Sequence, residues 1–115
     1  MAFNLTEAEK KAINEFKDKL VERFPNDIKS LILYGSKARG EANLYSDVDL
    51  LVIFKKETLD LWDIVQSFSS DISLKYGILL SVKVMDTSHY NYLKKIESGF
   101  VENIEKDGAN IWKAA

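Results

Sequence analysis

Three short apolar segments limit the folds that this chain can adopt. They are rich in Leu, Ile and Val and run from Ile28 to Tyr34, from Ser46 to Phe54 and from Ile78 to Met85. Their length and composition predict strands. Only the second and third are separated by a segment long enough for the crossover helix that parallel strands need, so the first two should pair antiparallel. The order predicts an α+β (two-layer) fold, a small mixed sheet with helices packed against it.

Four segments have the apolar spacing of amphipathic helices. They run from Thr6 to Phe24, from Leu59 to about Tyr76, from Ser88 to Leu93 and from Phe100 to Asp107. Thr6 and Glu9 form a capping box for the first helix, and Gly77 is placed to end the second. Trp62 lies among aliphatic residues of the second helix, so we expect it to pack in the core.

Length and composition exclude several classes of protein. A chain of 115 residues supports a single domain, residues 1–115, and the absence of cysteine with only one histidine rules out disulfide frameworks and Cys- or His-built zinc sites. No apolar run reaches the ~20 residues of a membrane span, and the N-terminus does not resemble a signal peptide. We therefore expect a cytoplasmic protein without membrane association. Eighteen acidic against sixteen basic residues also argue against strong nucleic-acid binding.

The segment after the first strand has the composition of a phosphate-binding turn. It reads Gly35-Ser36-Lys37-Ala38-Arg39-Gly40. Glycine allows a sharp turn and a close approach of a ligand, and the free amides of a helical turn beginning at Ser36 can bind phosphate oxygens. Lys37 and Arg39 would add positive charge. A plain turn is the alternative explanation of the Gly-Ser pair taken alone.

Two aspartates at the start of the second strand are the strongest chemical signal. Asp47 and Asp49 are two residues apart, so they share one face of the strand, while Val48, Leu50 and Val52 face the core. Adjacent like charges on one face repel unless a cation lies between them. Mg²⁺ binds through one or two carboxylates together with substrate phosphates. An edge strand with an acidic outer face is the alternative.

Antiparallel pairing of the first two strands would bring both features together. The Gly-Ser pair at the end of one strand would then lie beside the aspartates at the start of the next. A nucleoside triphosphate could place its phosphates on Ser36 and its metal ion on Asp47 and Asp49, an arrangement suited to phosphoryl-group chemistry.

The motif Gly35-Ser36, ten residues, Asp47-Val48-Asp49 resembles the signature of the polymerase-β-type nucleotidyltransferases. The surrounding GSKARG and SDVDLLV are similar to the minimal nucleotidyltransferases of bacteria and archaea. The resemblance implies that Gly35 and Ser36, with Lys37 and Arg39, bind the nucleotide and that Asp47 and Asp49 are the catalytic, metal-binding residues. It also implies Mg²⁺ or Mn²⁺ as cofactor and transfer of a nucleoside monophosphate, expected to be AMP from ATP, with release of pyrophosphate.

The same resemblance implies a partner. Minimal nucleotidyltransferases are often paired with a helical HEPN-type protein in toxin–antitoxin systems, in which the transferase modifies a hydroxyl group of its partner. The expected function is therefore an antitoxin-like nucleotidyltransferase that acts on a partner protein, in a homodimer or hetero-oligomer. A small-molecule acceptor ranks behind this function, because such relatives carry an additional helical domain that this chain lacks.

The resemblance also implies a third carboxylate on the next core strand, where Ile78 to Met85 has none. Ser81 is the expected occupant of that place, with Lys83 on the same face. Asp86 lies five residues further, about 16 Å at ~3.3 Å per residue. Ser81, Asp86 or a partner residue could stand in for the missing acid. The alternative function is a weakly active or inactive nucleotide- and metal-binding module that docks onto a helical HEPN-type partner.

Overall fold

The computed structural model describes residues 5–41 and 47–115, which form four strands and five helices. In chain order the elements are α1 (Glu7–Arg23), β1 (Ile28–Tyr34), α2 (Gly35–Arg39), β2 (Val48–Phe54), α3 (Leu59–Tyr76), β3 (Leu80–Asp86), α4 (Thr87–Lys95), α5 (Gly99–Asp107) and β4 (Ala109–Lys113). The capping box at Thr6 and Glu9 is present, and Gly77 ends α3 with φ of 65°. Ser46, expected to begin the second strand, lies outside the described residues.

The four strands form one mixed sheet in the order β3-β2-β1-β4. β1 pairs antiparallel with β2, with Tyr34 opposite Asp49, and β2 pairs parallel with β3, with Asp49 opposite Ser81. This pairing confirms the predicted α+β class and the predicted directions of the first three strands. The helix α3 makes the crossover between the two parallel strands.

The two faces of the sheet are covered unequally. Side chains of α1 and α3 pack on one face, where residues such as Phe16, Leu33, Leu50 and Val65 are fully buried. A smaller apolar cluster on the opposite face lies under α4 and α5 and includes Ile104. Asp49, between Val48 and Leu50, projects towards this second face. Helix α5 therefore reaches the side of the sheet that carries the predicted site.

The fourth strand, Ala109–Lys113, was not predicted. It pairs antiparallel with β1 at an edge of the sheet, and its Ala109 is buried. The segment has only five residues, and its place beside β1 depends on a long-range contact. A pattern of five residues is too short to distinguish a strand from an irregular end, even though Ile111 and Lys113 alternate with Asn110 and Trp112.

Trp62 does not pack in the core, contrary to the prediction from the sequence. Its side chain is 53% exposed, whereas Leu61 and Val65 are buried. Residues 61, 65 and 72 form the buried stripe of α3, and position 62 is turned away from it by about a quarter of a turn.

Among the described helices, none is both long and apolar enough to cross a lipid bilayer.

Candidate functional site

Gly35 forms the tight corner between β1 and the short helix α2. Its φ is 74°, in the left-handed region that favours glycine, and Gly40 with φ of 71° ends the helix. A Cβ atom on Gly35 would collide with Oδ2 of Asp49 and would lie 3.2 Å from its Cγ. The missing side chain therefore lets the backbone of the turn lie directly against the Asp49 carboxylate.

Asp47 and Asp49 lie at the start of β2, at the end of the strand where β1 finishes. Asp47 is exposed and directly precedes the strand, whereas Asp49 is partly buried opposite Tyr34. Val48 and Leu50 point to the other face and are fully buried. The alternation predicted from the sequence is therefore present, and the strand pairing brings the two predicted features together at Gly35 and Asp49.

Three charged side chains act on the Asp49 carboxyl. Burial of the carboxyl raises its pKa, and the negative charge of Asp47 raises that pKa further. Arg39 on α2 and Lys83 on β3 act in the opposite direction. The two carboxylates thus repel each other, and cationic side chains offset part of this repulsion.

A divalent cation fits this pair of carboxylates. In residues 5–41 and 47–115, no group of three or more His, Cys, Asp or Glu side chains comes together that could hold a metal ion. Two carboxylates on one face are nevertheless enough for Mg²⁺ when substrate phosphates and water complete its ligands. The repulsion that raises the pKa of Asp49 would be relieved by such a cation.

Arg39 lies at the surface and is held by a neighbour. Its Nε is 3.0 Å from Oε2 of Glu41 in an exposed ion pair. Exposed pairs of this kind contribute little to stability, so the guanidinium can exchange this partner for a phosphate at low cost. Arg39 is therefore the cation of α2 that is placed to meet an anionic ligand.

Lys37 differs from the expectation that it adds positive charge beside the phosphates. Its side chain is 1% exposed, and its Nζ is 2.9 Å from Oε2 of Glu9 on α1. The helical turn directs residue 37 inward, towards α1, whereas Arg39, two residues later, points to solvent. Both partners are buried, so the pair joins α2 to α1 within the protein interior.

β3 presents Ser81 to the site, and no acid lies beside Asp49 on this strand. Strand register places Ser81 directly next to Asp49, as expected, and Asp86 opposite Phe54 at the far end of β2. There Asp86 accepts a hydrogen bond of 2.8 Å from the backbone N–H of His89 and caps α4. Asp86 therefore does not replace the third carboxylate of the site.

Two aromatic residues lie near the predicted site and were not assigned to it from the sequence. The ring of Tyr34 meets that of Phe100 edge-on at 5.3 Å, and Nζ of Lys83 lies 5.8 Å from the centre of the Phe100 ring. Burial and the charge of Asp49 raise the pKa of Tyr34 to about 12, so its hydroxyl stays protonated. Because Tyr34 directly precedes Gly35, its place near the site could have been predicted from the sequence. Phe100 is brought near the site only by the packing of α5.

Comparison with known proteins agrees with this geometry. A family model described as a nucleotidyltransferase domain matches residues 13–108. One curated relative from Methanocaldococcus jannaschii, provisionally named a protein adenylyltransferase, is 34% identical over 104 residues, which cover 90% of this chain and 98% of the relative.

Two solved structures have the same fold at low sequence identity. A spectinomycin adenyltransferase from Enterococcus faecialis, crystallised with ATP and spectinomycin, matches with a TM-score of 0.67 and 15% identity over 92% of this chain and 56% of that chain. A toxin–antitoxin with AMP-PNP matches with a TM-score of 0.55 and 19% identity over 87% and 73% of the two chains. The match of the family model across most of the sequence shows that this chain belongs to the nucleotidyltransferase domain family.

Proposed function

We propose that this nucleotidyltransferase transfers AMP from ATP to a hydroxyl group on a partner protein, with Mg²⁺ or Mn²⁺ as cofactor. The acceptor oxygen forms a bond to the α-phosphorus of ATP and loses its proton to solvent. The bond from that phosphorus to the oxygen bridging to the β-phosphate breaks, and pyrophosphate leaves with the bonding electrons. Residues 1–115 act as one domain in this proposal.

The contact between Gly35 and the Asp49 carboxylate carries the proposal. Fourteen positions separate the two residues in the sequence, and the fold leaves no room for a side chain between them. Asp47 and Asp49 would hold the cation, which supplies neutralisation of phosphate charge when bound. Gly35 and Ser36 would contact phosphate oxygens through the backbone and the hydroxyl group. Arg39 would leave Glu41 and bind a phosphate oxygen.

Two similar proteins support a protein acceptor and an antitoxin-like role. The relative from Methanocaldococcus jannaschii is provisionally named a protein adenylyltransferase, and one structural neighbour is a toxin–antitoxin with AMP-PNP. We propose that the partner is a helical HEPN-type protein and that adenylylation of its hydroxyl group inactivates it. The two proteins would form a hetero-oligomer during the reaction.

Intact-mass spectrometry tests this function. The chain is incubated with ATP, Mg²⁺ and the proposed HEPN-type partner, and we expect that partner to gain one adenylyl group. The variant Asp47→Asn with Asp49→Asn should abolish the gain, and Asp71→Asn on the exposed side of α3 should leave it unchanged. An adduct that persists in the double variant would refute the assigned roles of the two aspartates.

A second candidate function is nucleotide-dependent docking without transfer. Ser81 beside Asp49 favours it, because a serine hydroxyl is a poor general base and such a base normally contributes about 10²–10⁴-fold to the rate. In this case the partner is neutralised by a stable complex and keeps its original mass. Neutralisation that survives the substitution of Asp47 and Asp49 would support docking, and its loss would count against docking.

A further inference from the structure

We propose that Glu9 and Lys37 are positioning residues, which hold the phosphate-binding turn Gly35–Arg39 in the orientation that nucleotide binding needs. This inference rests on the proposed function, because that function assigns the phosphates to Gly35, Ser36 and Arg39. It adds two buried residues that touch no substrate and act through the backbone between them.

Glu9 connects two parts of the chain through its two carboxylate oxygens. Oε1 accepts a hydrogen bond of 2.8 Å from the backbone N–H of Thr6, and Oε2 lies 2.9 Å from Nζ of Lys37. The backbone N–H of Glu9 in turn donates to Oγ1 of Thr6 at 3.1 Å. The capping box that begins α1 therefore also fixes the ammonium group of α2.

The ion pair is buried, which makes its geometry restrictive. The side chains of Lys37 and Glu9 are only 1% and 5% exposed. A charge removed from water without its partner is costly, so neither side chain can swing away while the other stays in place. Any rotation of α2 that would separate the two charges is opposed by this cost.

The turn depends on such an anchor because its own ends are permissive. Gly35 is its first residue and Gly40 directly follows it, with φ of 74° and 71°. The start of α2 has no side-chain capping bond. Lys37 is in the middle of the turn, next to Ser36 and two residues before Arg39. Fixing residue 37 therefore fixes the direction in which the Ser36 hydroxyl and the Arg39 side chain project.

The experiment combines two measurements on the full chain. Calorimetric titration with ATP and Mg²⁺ gives the dissociation constant of the nucleotide. Hydrogen exchange of the nucleotide-free protein reports the turn through the amides of Gly40 and Glu41, which donate to the carbonyls of Lys37 and Ser36 at 3.4 and 3.0 Å. The variants are Glu9→Gln, Lys37→Met and the two substitutions combined.

Two controls separate the proposed role from a general loss of stability. Glu15→Gln removes the same kind of charge from the same helix, where Glu15 forms an exposed ion pair of 2.7 Å with Lys75. Ile72→Val weakens the main core, in which Ile72 is fully buried, at a site on α3. Both controls should bind ATP like the original protein and leave the exchange of the two reporter amides unchanged.

For each single variant we expect ATP affinity to fall by about tenfold, since small displacements of positioning groups have effects of up to about 10²-fold. Exchange of the Gly40 and Glu41 amides should become faster. The combined variant removes both charges of the Glu9–Lys37 pair, so it should melt at a higher temperature than the single variants. Its ATP affinity should stay low because the anchor is still absent.

Two results would overturn the inference: unchanged reporter exchange in the single variants, or ATP affinity that recovers together with stability in the combined variant. The second result would mean that the pair acts only through overall stability. If the original protein does not bind ATP, the proposed function fails, and with it the role in nucleotide binding. The exchange measurement needs no nucleotide and would still decide whether the pair anchors the turn.

Discussion

At the scale of single residues, the site depends on close contact between the Gly35 backbone and the Asp49 carboxylate. The motif and strand alternation were enough to predict that Gly35, Asp49 and Ser81 lie close together. The direction of Lys37 could not be predicted, because a basic residue in a short turn can face either solvent or an acid elsewhere. Its partner Glu9 lies on α1, and only the packing of α1 brings the two together.

Gly35→Ala should abolish nucleotide binding, because the added methyl group collides with Asp49. It should also destabilise the protein by about 1–2 kcal/mol through the left-handed backbone conformation. Gly77→Ala is a matched control, since Gly77 has φ of 65° but no atom within 4 Å of an added Cβ. Thermal melting should show a loss of stability for both variants, larger for Gly35→Ala because of the added collision, and ATP titration should show loss of binding only for Gly35→Ala. Equal ATP affinity in both would contradict the contact.

Ser81→Asp should increase the rate of adenylyl transfer by up to about 10²-fold, because it places a general base beside Asp49. Without a divalent cation, the introduced carboxylate should also lower the melting temperature through repulsion from Asp47 and Asp49. Pyrophosphate release and melting curves with and without Mg²⁺ measure both effects. The control Ser88→Asp changes an exposed serine on α4. Equal rates for the two variants would show that the place beside Asp49 does not supply a base.

At the scale of elements, the boundaries that depend on local signals were predicted more closely than those set by tertiary contacts. The end of α3 at Gly77 and the capping box of α1 follow from local signals. Helix α4 runs from Thr87 to Lys95 and is capped by Asp86, whereas the sequence predicted a helix capped by Ser88 and ending at Leu93. Both residues are acceptable caps, and the end of β3 decides between them. Strand β4 required the free edge of β1, which no local pattern indicates.

Asp86→Ala should destabilise the protein by about 0.5–2 kcal/mol through loss of the helix cap, without reducing nucleotide binding. Ser88→Ala is the control and should change neither property. The backbone N–H groups of His89 and Glu57 lower the pKa of Asp86. Because the folded pKa lies below the unfolded one, the stabilisation is complete at neutral pH and is lost as the pH falls through the acidic range.

Denaturant unfolding at several acidic pH values measures this effect. The difference in stability between the original protein and Asp86→Ala should shrink as the pH falls. Asp86→Asn, which keeps a capping oxygen but no charge, should retain most of the cap at every pH. A difference that grows towards acidic pH would have the wrong sign for a carboxylate cap.

At the scale of the whole molecule, the main hydrophobic core lies on one face of the sheet, and the Asp49 carboxylate projects towards the other face. Helices α1 and α3 bury the first face, while α4 and α5 cover part of the other. On that side, Phe100 of α5 lies near Lys83 of β3. Gly35 and the two aspartates lie near the first residue of β2. Asp86 is the last residue of the parallel strand β3 and therefore lies at the opposite edge of the sheet. The separation of Asp86 from Asp47 and Asp49 could be predicted from the sequence. The crossover helix implies that β2 and β3 are parallel, and in parallel strands the first residue of one lies far from the last residue of the other.

Paramagnetic relaxation by Mn²⁺ bound with ATP locates the metal and nucleotide site within the fold. Mn²⁺ can replace Mg²⁺, and its effect on amide signals falls steeply with distance. With Mn²⁺ at a small fraction of the protein concentration, we expect the strongest broadening at Gly35, Ser36, Asp49 and Ser81, and much weaker broadening at Asp86, about 16 Å along β3 from Ser81. The broadening should disappear in the variant with Asp47→Asn and Asp49→Asn. Broadening centred on the Asp86 end of the sheet, or broadening that is unchanged in that variant, would contradict a metal site at Asp47 and Asp49.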